Sequence, residues 1–232
     1  MEIIELDEID STNEFCKRLT DFGDGVIVVA EKQTKGKGTN GRSFVSDEGG
    51  LYVSVMKRYK NFDFSHTFSI MINACVAVCK TVASYGIKPS VKWANDVLVN
   101  GKKICGTLIE NRLGADNVCT SIVGIGLNIN NVLPDELKEI ATTMSEQKGR
   151  KLNIPHVRGR LIKYLKKEYT VDDYKKYVDW FGQEVYLDSQ GKRTSAVALD
   201  VDDDGSLVCD IQGEIKKISS AEMRLRLKCK SI

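Results

Sequence analysis

A loop rich in glycine and positive charge carries the strongest chemical signal in the sequence. Residues 36–41 read GKGTNG, with Lys35 before them and Arg42 after them. Glycines let backbone N–H groups approach an anion closely, and the cations neutralise its charge. This pattern favours an anion-binding loop that orders on its ligand, with a flexible surface loop as the alternative.

The same six residues satisfy G-x-G-x-x-G, the short pattern of dinucleotide-binding and kinase loops. The dinucleotide fingerprint needs a strand directly before it and a helix directly after it. Here five residues separate Ala30 from Gly36, and the RSFVSDEGG that follows has no helical period. A kinase loop would carry Val where this chain has Ser43. The context therefore disfavours both.

A second constellation places a lysine beside an amide and a carboxylate. Residues 91–96 read VKWAND, so that Lys92 lies on an apolar strand ending in Asn95 and Asp96. The ammonium could meet a carboxylate and a phosphate together, and Asp96 could act as a cap, a lysine partner or a Mg²⁺ ligand. The alternative is a salt-bridged surface lysine before an Asx turn. Trp93 points to the opposite face and is predicted to lie in the core.

A polar triplet opens the first predicted helix. Ser11 with Glu14 fits a capping box, so capping alone is one interpretation of the triplet. The hydroxyls of Ser11 and Thr12 and the amide of Asn13 could also bind a small polar ligand group at the helix N-terminus.

Two glycines interrupt a later strand, and the histidines stand apart. Gly124 and Gly126 would weaken that strand unless something must approach it closely. His66 and His156 are isolated, and neither is assigned a catalytic or metal-binding role.

Hydrophobic periodicity predicts the elements that position these residues. The predicted helices span residues 11–22, 65–85, 134–141 and 153–181. The predicted strands span residues 2–6, 26–30, 51–56, 90–93, 97–99, 103–110 and 118–129, with a tight turn at Asn100-Gly101. From residue 184 the period becomes two, and five short segments at 184–187, 194–201, 206–211, 214–218 and 223–227 suggest a small barrel or sandwich. The prediction is an α+β protein with a mixed β-sheet domain flanked by helices at 1–182 and a small β domain at 183–232.

Composition limits the class of protein without indicating chemistry. With 34 Lys plus Arg against 32 Asp plus Glu, a net charge of +2 argues against a protein built to coat nucleic acid. No apolar stretch reaches a membrane span of about 18 residues, and the acidic N-terminus does not resemble a secretory signal. Seven scattered cysteines without a CxxC pattern predict reduced thiols and a cytoplasmic protein.

Taken in order along the chain, these segments resemble biotin protein ligases, in the form that lacks an N-terminal DNA-binding domain. The matching segments are DSTN at 10–13, AEKQTKGKGTNGR at 30–42, VKWAND at 91–96, KICGTLIE at 103–110 and GIGLNI at 124–129. Each is weak alone, but the ordered set is specific. The terminal β domain is then expected to be an SH3-like β-barrel.

The resemblance implies roles for individual residues. Lys92 and Arg42 are expected to be catalytic, with Lys92 binding both the biotin carboxylate and the α-phosphate and Arg42 meeting the nucleotide phosphates. The expected biotin-binding residues are Ser11, Thr12, Asn13, Gln33, Gly36, Lys37, Gly38, Thr39, Lys92, Gly106 and Gly124. The expected ATP-binding residues are Arg42, Lys92, Asn95, Asn128 and Arg226. Where the family loop carries two arginines, this chain has Lys37 and Thr39, which predicts a looser hold on the ligand.

The implied reaction joins biotin and ATP, with Mg²⁺, into biotinyl-5′-AMP and then transfers biotin to a lysine of a biotin carboxyl carrier protein. Lipoate or octanoyl ligases and transferases share the core fold and are the main alternative; a noncatalytic adenylate-binding or DNA-binding regulator is a more distant one. The DSTN motif begins at residue 10, which leaves no room for a winged helix-turn-helix, so we expect no operator binding. A homodimer through a sheet edge is compatible with the resemblance but not required by it.

Overall fold

The computed structural model describes residues 1–63, 67–114, 118–189, 191–220 and 223–227. His66, and Cys229 as one of the seven cysteines counted above, lie outside these ranges. No helix within the described ranges is long and apolar enough to span a bilayer.

Seven strands form the first sheet. They are β1 (Glu2–Ile9), β2 (Gly25–Gln33), β3 (Leu51–Tyr59), β4 (Ser90–Lys92), β5 (Asp96–Val99), β6 (Lys102–Leu113) and β7 (Cys119–Leu127). Their order across the sheet is β1-β2-β3-β7-β6-β5-β4. β1 runs parallel to β2, and the other neighbours are antiparallel. The predicted mixed sheet is thus confirmed, and Asn100 and Gly101 form the predicted turn with positive φ angles of 51° and 75°.

Five helices accompany the sheets. They are α1 (Thr12–Arg18), α2 (Thr67–Ala83), α3 (Met144–Lys148), α4 (Ile154–Leu165) and α5 (Val171–Lys175). The residues of β2 alternate between two hydrophobic clusters, because successive side chains of a strand face opposite ways. Ile27 and Val29 join the large cluster with α2, whereas Val26 and Val28 pack with Cys16 of α1. The functional residues of α1 therefore lie on the face opposite α2.

Three predicted helices differ from the structure: local propensity ends the first one early, and tertiary contacts override the local pattern in the other two. The first ends at Arg18, before the weak helix formers around Gly23. Residues 134–141 form only a 3-10 turn at Asp135–Leu137, because the chain then bonds to Lys103 of β6 through Ile140 and Thr142. The helix predicted over 153–181 breaks after Leu165, where the N–H of Tyr169 donates to Asn73 of α2.

Five further strands form an antiparallel sheet, which agrees with the predicted small β region. They are β8 (Glu184–Ser189), β9 (Lys192–Val201), β10 (Leu207–Ile211), β11 (Glu214–Ile218) and β12 (Arg224–Leu227), in the order β11-β10-β9-β8-β12. Buried residues of this sheet belong to the same hydrophobic cluster as α2. Trp93, buried as predicted, donates its indole N–H to the carbonyl of Gly205 at 2.9 Å. The division into domains at residue 182 stays a prediction.

Candidate functional site

A narrow pocket of about 40 Å³ lies on the α1 face of the first sheet. Its walls come from the N-terminus of α1, the loop after β2, the β4–β5 connection and the strands β6 and β7. Eleven residues singled out from the sequence line it: Ser11, Thr12, Asn13, Gln33, Lys37, Gly38, Thr39, Asn95, Gly106, Gly124 and Gly126. The structure therefore brings segments that are more than 110 residues apart in sequence to one place.

The N-terminus of α1 presents polar groups that do not cap the helix. Ser11 occupies the N-cap position, but its side chain makes no capping hydrogen bond, so the predicted capping box is wrong. The reason is that Glu14 is drawn away by two ammonium groups, Lys17 and Lys37, each 2.7 Å from its carboxylate. Both ion pairs lower the pKa of Glu14 below its usual value. The buried Ser11 hydroxyl is thereby left to the pocket rather than to the helix.

A hydrogen-bonded network supports this polar wall. Gln33 Oε1 accepts from the backbone N–H of Thr12 at 2.8 Å and from its hydroxyl at 3.1 Å. The Ser54 hydroxyl shares its proton between Thr12 Oγ1 at 2.7 Å and Asn13 Oδ1 at 2.6 Å. Ser54, Thr12 and Asn13 are all buried. Buried polar groups that are bonded to one another hold a single arrangement, which makes the wall rigid.

Glycines at the floor of the pocket allow side chains to lie directly on the sheet. A Cβ on Gly124 would lie 2.5 Å from Asn13 Oδ1, and one on Gly126 would lie 2.5 Å from the ring of Phe44. A Cβ on Gly106 would meet Lys103 at 2.8 Å. Close approach thus explains Gly124 and Gly126, as the sequence suggested, whereas the flexible end of the Lys103 side chain could move aside for a Cβ on Gly106.

The cationic loop folds into a compact hairpin. Gly38 donates its N–H to the carbonyl of Arg42 at 2.7 Å, and Thr39 begins a 3-10 turn. The guanidinium of Arg42 donates to the carbonyl of Thr39 at 3.2 Å and to its hydroxyl at 3.0 Å. Thr39 stands where the resembled family has an arginine. It accepts hydrogen bonds from Arg42 and thereby holds that arginine in place. Gly36 lies beneath this turn, where a Cβ would collide with Ser46 and the backbone of Phe44.

Lys92 ends β4 and is half-buried near the pocket, although it does not line it. Burial lowers the pKa of Lys92 below its ordinary value; Asp96 opposes this shift, and the positive charges of Lys103, Arg226 and Arg42 add to it. Within the described residues, no carboxylate oxygen lies within 4.0 Å of its ammonium group. Asp96 instead pairs with Lys103 at 2.6 Å. A cation that is confined without an ion-pair partner is suited to binding an anion.

The other predicted ATP-binding residues occupy different settings. Asn95 lines the pocket and donates to the carbonyl of Thr107 at 2.6 Å. The amide of Asn128 is buried and engaged by Thr142 and Asn131. Arg226 is exposed and pairs with Asp188, yet it lies near enough to Lys92 to influence its pKa.

Five of the lining residues were not singled out from the sequence, and two of them, Lys103 and Phe44, shape the pocket most clearly. Lys103 lines it beside Gly106, and Phe44 packs over Gly126 and 5.7 Å from the Lys103 ammonium group. Two signals were available in the sequence. Lys103 is a lysine next to an apolar stretch of its strand, and Phe44 is an aromatic residue within a polar loop. Their importance depends on the approach of the loop to β6, which no local pattern encodes.

The pocket attracts anions. Lys37 and Lys103 line it but pair with Glu14 and Asp96, so the excess positive charge comes from Lys92 and Arg42 nearby. Among the described residues, no group of three or more His, Cys, Asp or Glu side chains could hold a metal ion. A metal entering here would therefore need most of its ligands from an anionic substrate.

Comparison with known proteins gives a consistent result over most of the chain. Residues 6–130 match the model of the biotin/lipoate A/B protein ligase family. The chain is 34% identical to the bifunctional ligase/repressor BirA of Bacillus spizizenii, over 96% of this chain and 74% of that protein. It is 26% identical to the biotin--[acetyl-CoA-carboxylase] ligase of Mycobacterium tuberculosis, over 86% and 79% respectively.

The fold is similar to that of a solved relative over nearly its whole length. The structure of a biotin protein ligase from Aquifex aeolicus in complex with biotin and ATP superimposes with a TM-score of 0.82. The two chains are 29% identical, and the match covers 98% of this chain and 99% of that one.

Proposed function

The chain belongs to the biotin/lipoate A/B protein ligase family, and we propose that it is an ATP-dependent biotin--[acetyl-CoA-carboxylase] ligase. It forms biotinyl-5′-AMP and transfers the biotinyl group to a lysine of a biotin carboxyl carrier domain. The observation that carries the proposal is one pocket that combines a rigid wall of amides and hydroxyls with a surrounding group of cations.

In the first step the biotin carboxylate attacks the α-phosphorus of ATP and pyrophosphate leaves. Two anions must approach each other, so their repulsion has to be cancelled. Lys92 lies between the carboxylate and the α-phosphate, while Arg42 neutralises the nucleotide phosphates. Fixed positive charges in a partly buried site act more strongly than they would in water.

Mg²⁺ would be brought to the site by ATP, and when bound it would supply neutralisation of charge at the pyrophosphate group. The donor set agrees with this route, because phosphate oxygens would supply most of its ligands. The loop of residues 35–50 is proposed to cover the adenylate, since its mixed anhydride is hydrolysed by water.

In the second step the ε-amine of the carrier lysine attacks the biotinyl carbonyl, and AMP leaves. This route needs no enzyme nucleophile. The thiol of Cys16, which lies on the same face of the sheet as the pocket, supports that view, because burial raises its pKa to about 12.

Lipoate or octanoyl transfer remains the second candidate, because the family description includes lipoate enzymes. The buried polar network of Thr12, Asn13, Gln33 and Ser54 favours biotin. A ureido ring offers N–H donors and a carbonyl acceptor to the hydrogen-bonding capacity that this network leaves unused, whereas an apolar acyl chain offers neither.

The direct experiment mixes the protein with ATP, Mg²⁺, radiolabelled biotin and a biotin carboxyl carrier domain. We expect label on the carrier only when ATP is present and the acceptor lysine is intact. Parallel reactions with lipoate and octanoate should leave the carrier and a lipoyl domain unlabelled. Labelling by either acid, with none by biotin, would replace the proposal by the second candidate.

Two finer points belong to the same proposal. A cytoplasmic location is supported by the cysteines, because the six that the structure describes are free and buried. A homodimer through a sheet edge would use β1 or β4, the outer strands of the first sheet.

A further inference from the structure

Glu110 lies outside the pocket but touches a residue of its wall. The side-chain nitrogen of Asn13 donates to Glu110 Oε2 at 2.8 Å. The other carboxylate oxygen, Oε1, pairs with Lys17 at 2.7 Å. Glu110 is thereby held in place from the far side. Among the described residues, Asn13 is its direct contact with the pocket lining, and an indirect link runs through Lys17 and Glu14 to Lys37.

The carboxylate determines which way the Asn13 amide points. An ionised carboxylate only accepts hydrogen bonds, so the NH₂ group of Asn13 must face it. Ser54, on the other side, could donate to an oxygen or accept from a nitrogen, so its hydroxyl alone would allow either orientation. Glu110 therefore fixes the orientation of the Asn13 amide, with the nitrogen toward Glu110 and the oxygen toward Ser54.

The orientation of the Gln33 side-chain amide is also fixed by its hydrogen-bond partners, but these are held by the backbone. Ser46 donates its proton to the carbonyl of Phe44 at 2.9 Å, so Ser46 can only accept from Gln33 Nε2. Gln33 then presents its oxygen to Thr12. Backbone groups fix Gln33, whereas the orientation of Asn13 depends on one side chain that the pocket does not contain.

Resting on the proposed function, we infer that Glu110 is a positioning residue that makes the pocket select a ligand with an N–H donor. The second lone pair of Asn13 Oδ1 is then available to a ureido N–H of biotin. A reversed amide would oppose two donors and leave a buried N–H unpaired. Gly124 adds to the constraint, because the amide rests on it with no room for a Cβ.

The test measures biotin affinity by calorimetry without ATP, for the wild type, Glu110→Ala, Glu110→Gln and Lys17→Met. Glu110→Ala should weaken biotin binding roughly tenfold to a hundredfold, the usual effect of an unpaired buried group. Glu110→Gln keeps an oxygen for Asn13 and should restore most of the affinity. Lys17→Met removes the ion pair but keeps the carboxylate, so its affinity should stay within about threefold of the wild type.

A second ligand separates positioning from general disruption. Biotin can be methylated at either ureido nitrogen. Methylation of the nitrogen that faces Asn13 should weaken binding to the wild type much more than methylation of the other nitrogen. That methylation should cost the Glu110→Ala variant little further affinity, because Asn13 no longer presents its oxygen to the ligand N–H in this variant. ATP affinity and the thermal midpoint of Glu110→Gln should match those of the wild type.

Three results would overturn the inference: unchanged biotin affinity in Glu110→Ala, a full methylation penalty in that variant, or equal losses for biotin and ATP. Failure of the wild type to bind biotin at all would instead contradict the proposed function. The two failures are therefore distinguishable.

Discussion

The role proposed for Lys92 requires a charged ammonium group, whereas the surroundings of Lys92 disfavour the charged form. Burial and the neighbouring Lys103, Arg226 and Arg42 lower its pKa, so that the ammonium loses its proton at a lower pH than a free lysine would. An anionic substrate between these groups would reverse the balance by favouring the charged form.

A pH profile of adenylate formation follows from this setting. Because the protonated form is required, kcat/KM, which reports the free enzyme, should fall as the pH rises, with a midpoint below the ordinary lysine value of about 10.4. Lys92→Arg, whose guanidinium stays charged, should lose rate but not show that decline. The measurement is biotin-dependent pyrophosphate release across the alkaline range, with circular dichroism as the control for folding. A wild-type midpoint at or above 10.4 would contradict the assigned environment.

Gly124 is the second position where a single atom decides the outcome. Gly124→Ala should push Asn13 away, raise the KM for biotin at least tenfold and destabilise the fold by about 1–3 kcal/mol. Gly159→Ala is the matched control, because nothing lies within 4 Å of its Cβ and alanine favours helix α4. A Gly124→Ala enzyme with normal kinetics for biotin would show that Asn13 has room to move.

At the residue scale the sequence indicates which residues gather but not how they pair. The motifs and the family resemblance together named eleven residues that line one pocket. The pairing of Glu14 with Lys37, instead of with the backbone of Ser11, depends on where the loop folds back. Spacing within a helix cannot encode such a long-range contact.

At the scale of elements, the short helix α3 supports the chain that follows β7. Its first N–H, from Met144, donates to the carbonyl of Asn128 at 3.1 Å, and the side chain of Asn128 donates to the carbonyl of Thr142. A complete capping box formed by Thr143 and Glu146 fixes the start of this helix.

Removing that cap should therefore act on one substrate more than the other. Thr143→Val should cost about 1 kcal/mol of stability and raise the KM for ATP while leaving that for biotin unchanged. Thr170→Val removes the capping box of α5 and serves as the control, with lower stability and normal KM values. Equal KM changes for both substrates in Thr143→Val would argue against a role for Asn128 in nucleotide binding.

The predicted elements succeeded where periodicity was long and failed where helices were short. Buried strands such as β2 and the apolar helix α2 follow from their patterns. Thr143 and Glu146 carried a capping signal for α3, yet five residues are too few for a helical period to show. In 153–181 the polar residues 166–170 mark an interruption whose cause is a bond to α2.

On the scale of the whole molecule, one hydrophobic cluster joins the two sheets. It runs from α2 and the first sheet to buried residues of β8, β9 and β10. Trp93, next to Lys92, contributes the indole hydrogen bond to Gly205 across this junction. Lys92, for which we propose a catalytic role, thus lies beside the junction between the sheets.

A shared core predicts cooperative unfolding. Calorimetry should show a single transition for the full chain, and Trp93→Phe should lower stability by about 1–3 kcal/mol by leaving the Gly205 carbonyl unpaired. Two separate transitions in the wild type would instead support independent domains. The period change near residue 184 predicted the second sheet, but a change of period cannot reveal whether two sheets share a core.

The most direct test of the central claim is adenylate formation by a variant without the Lys92 ammonium. Lys92→Met should form biotinyl-5′-AMP from α-labelled ATP at least about a hundredfold more slowly than the wild type, because charge stabilisation at a reacting centre contributes that much. Its thermal midpoint should stay near that of the wild type, and Lys88→Met, which removes an exposed lysine four residues earlier, should react normally. Undiminished adenylate formation by Lys92→Met would contradict the account.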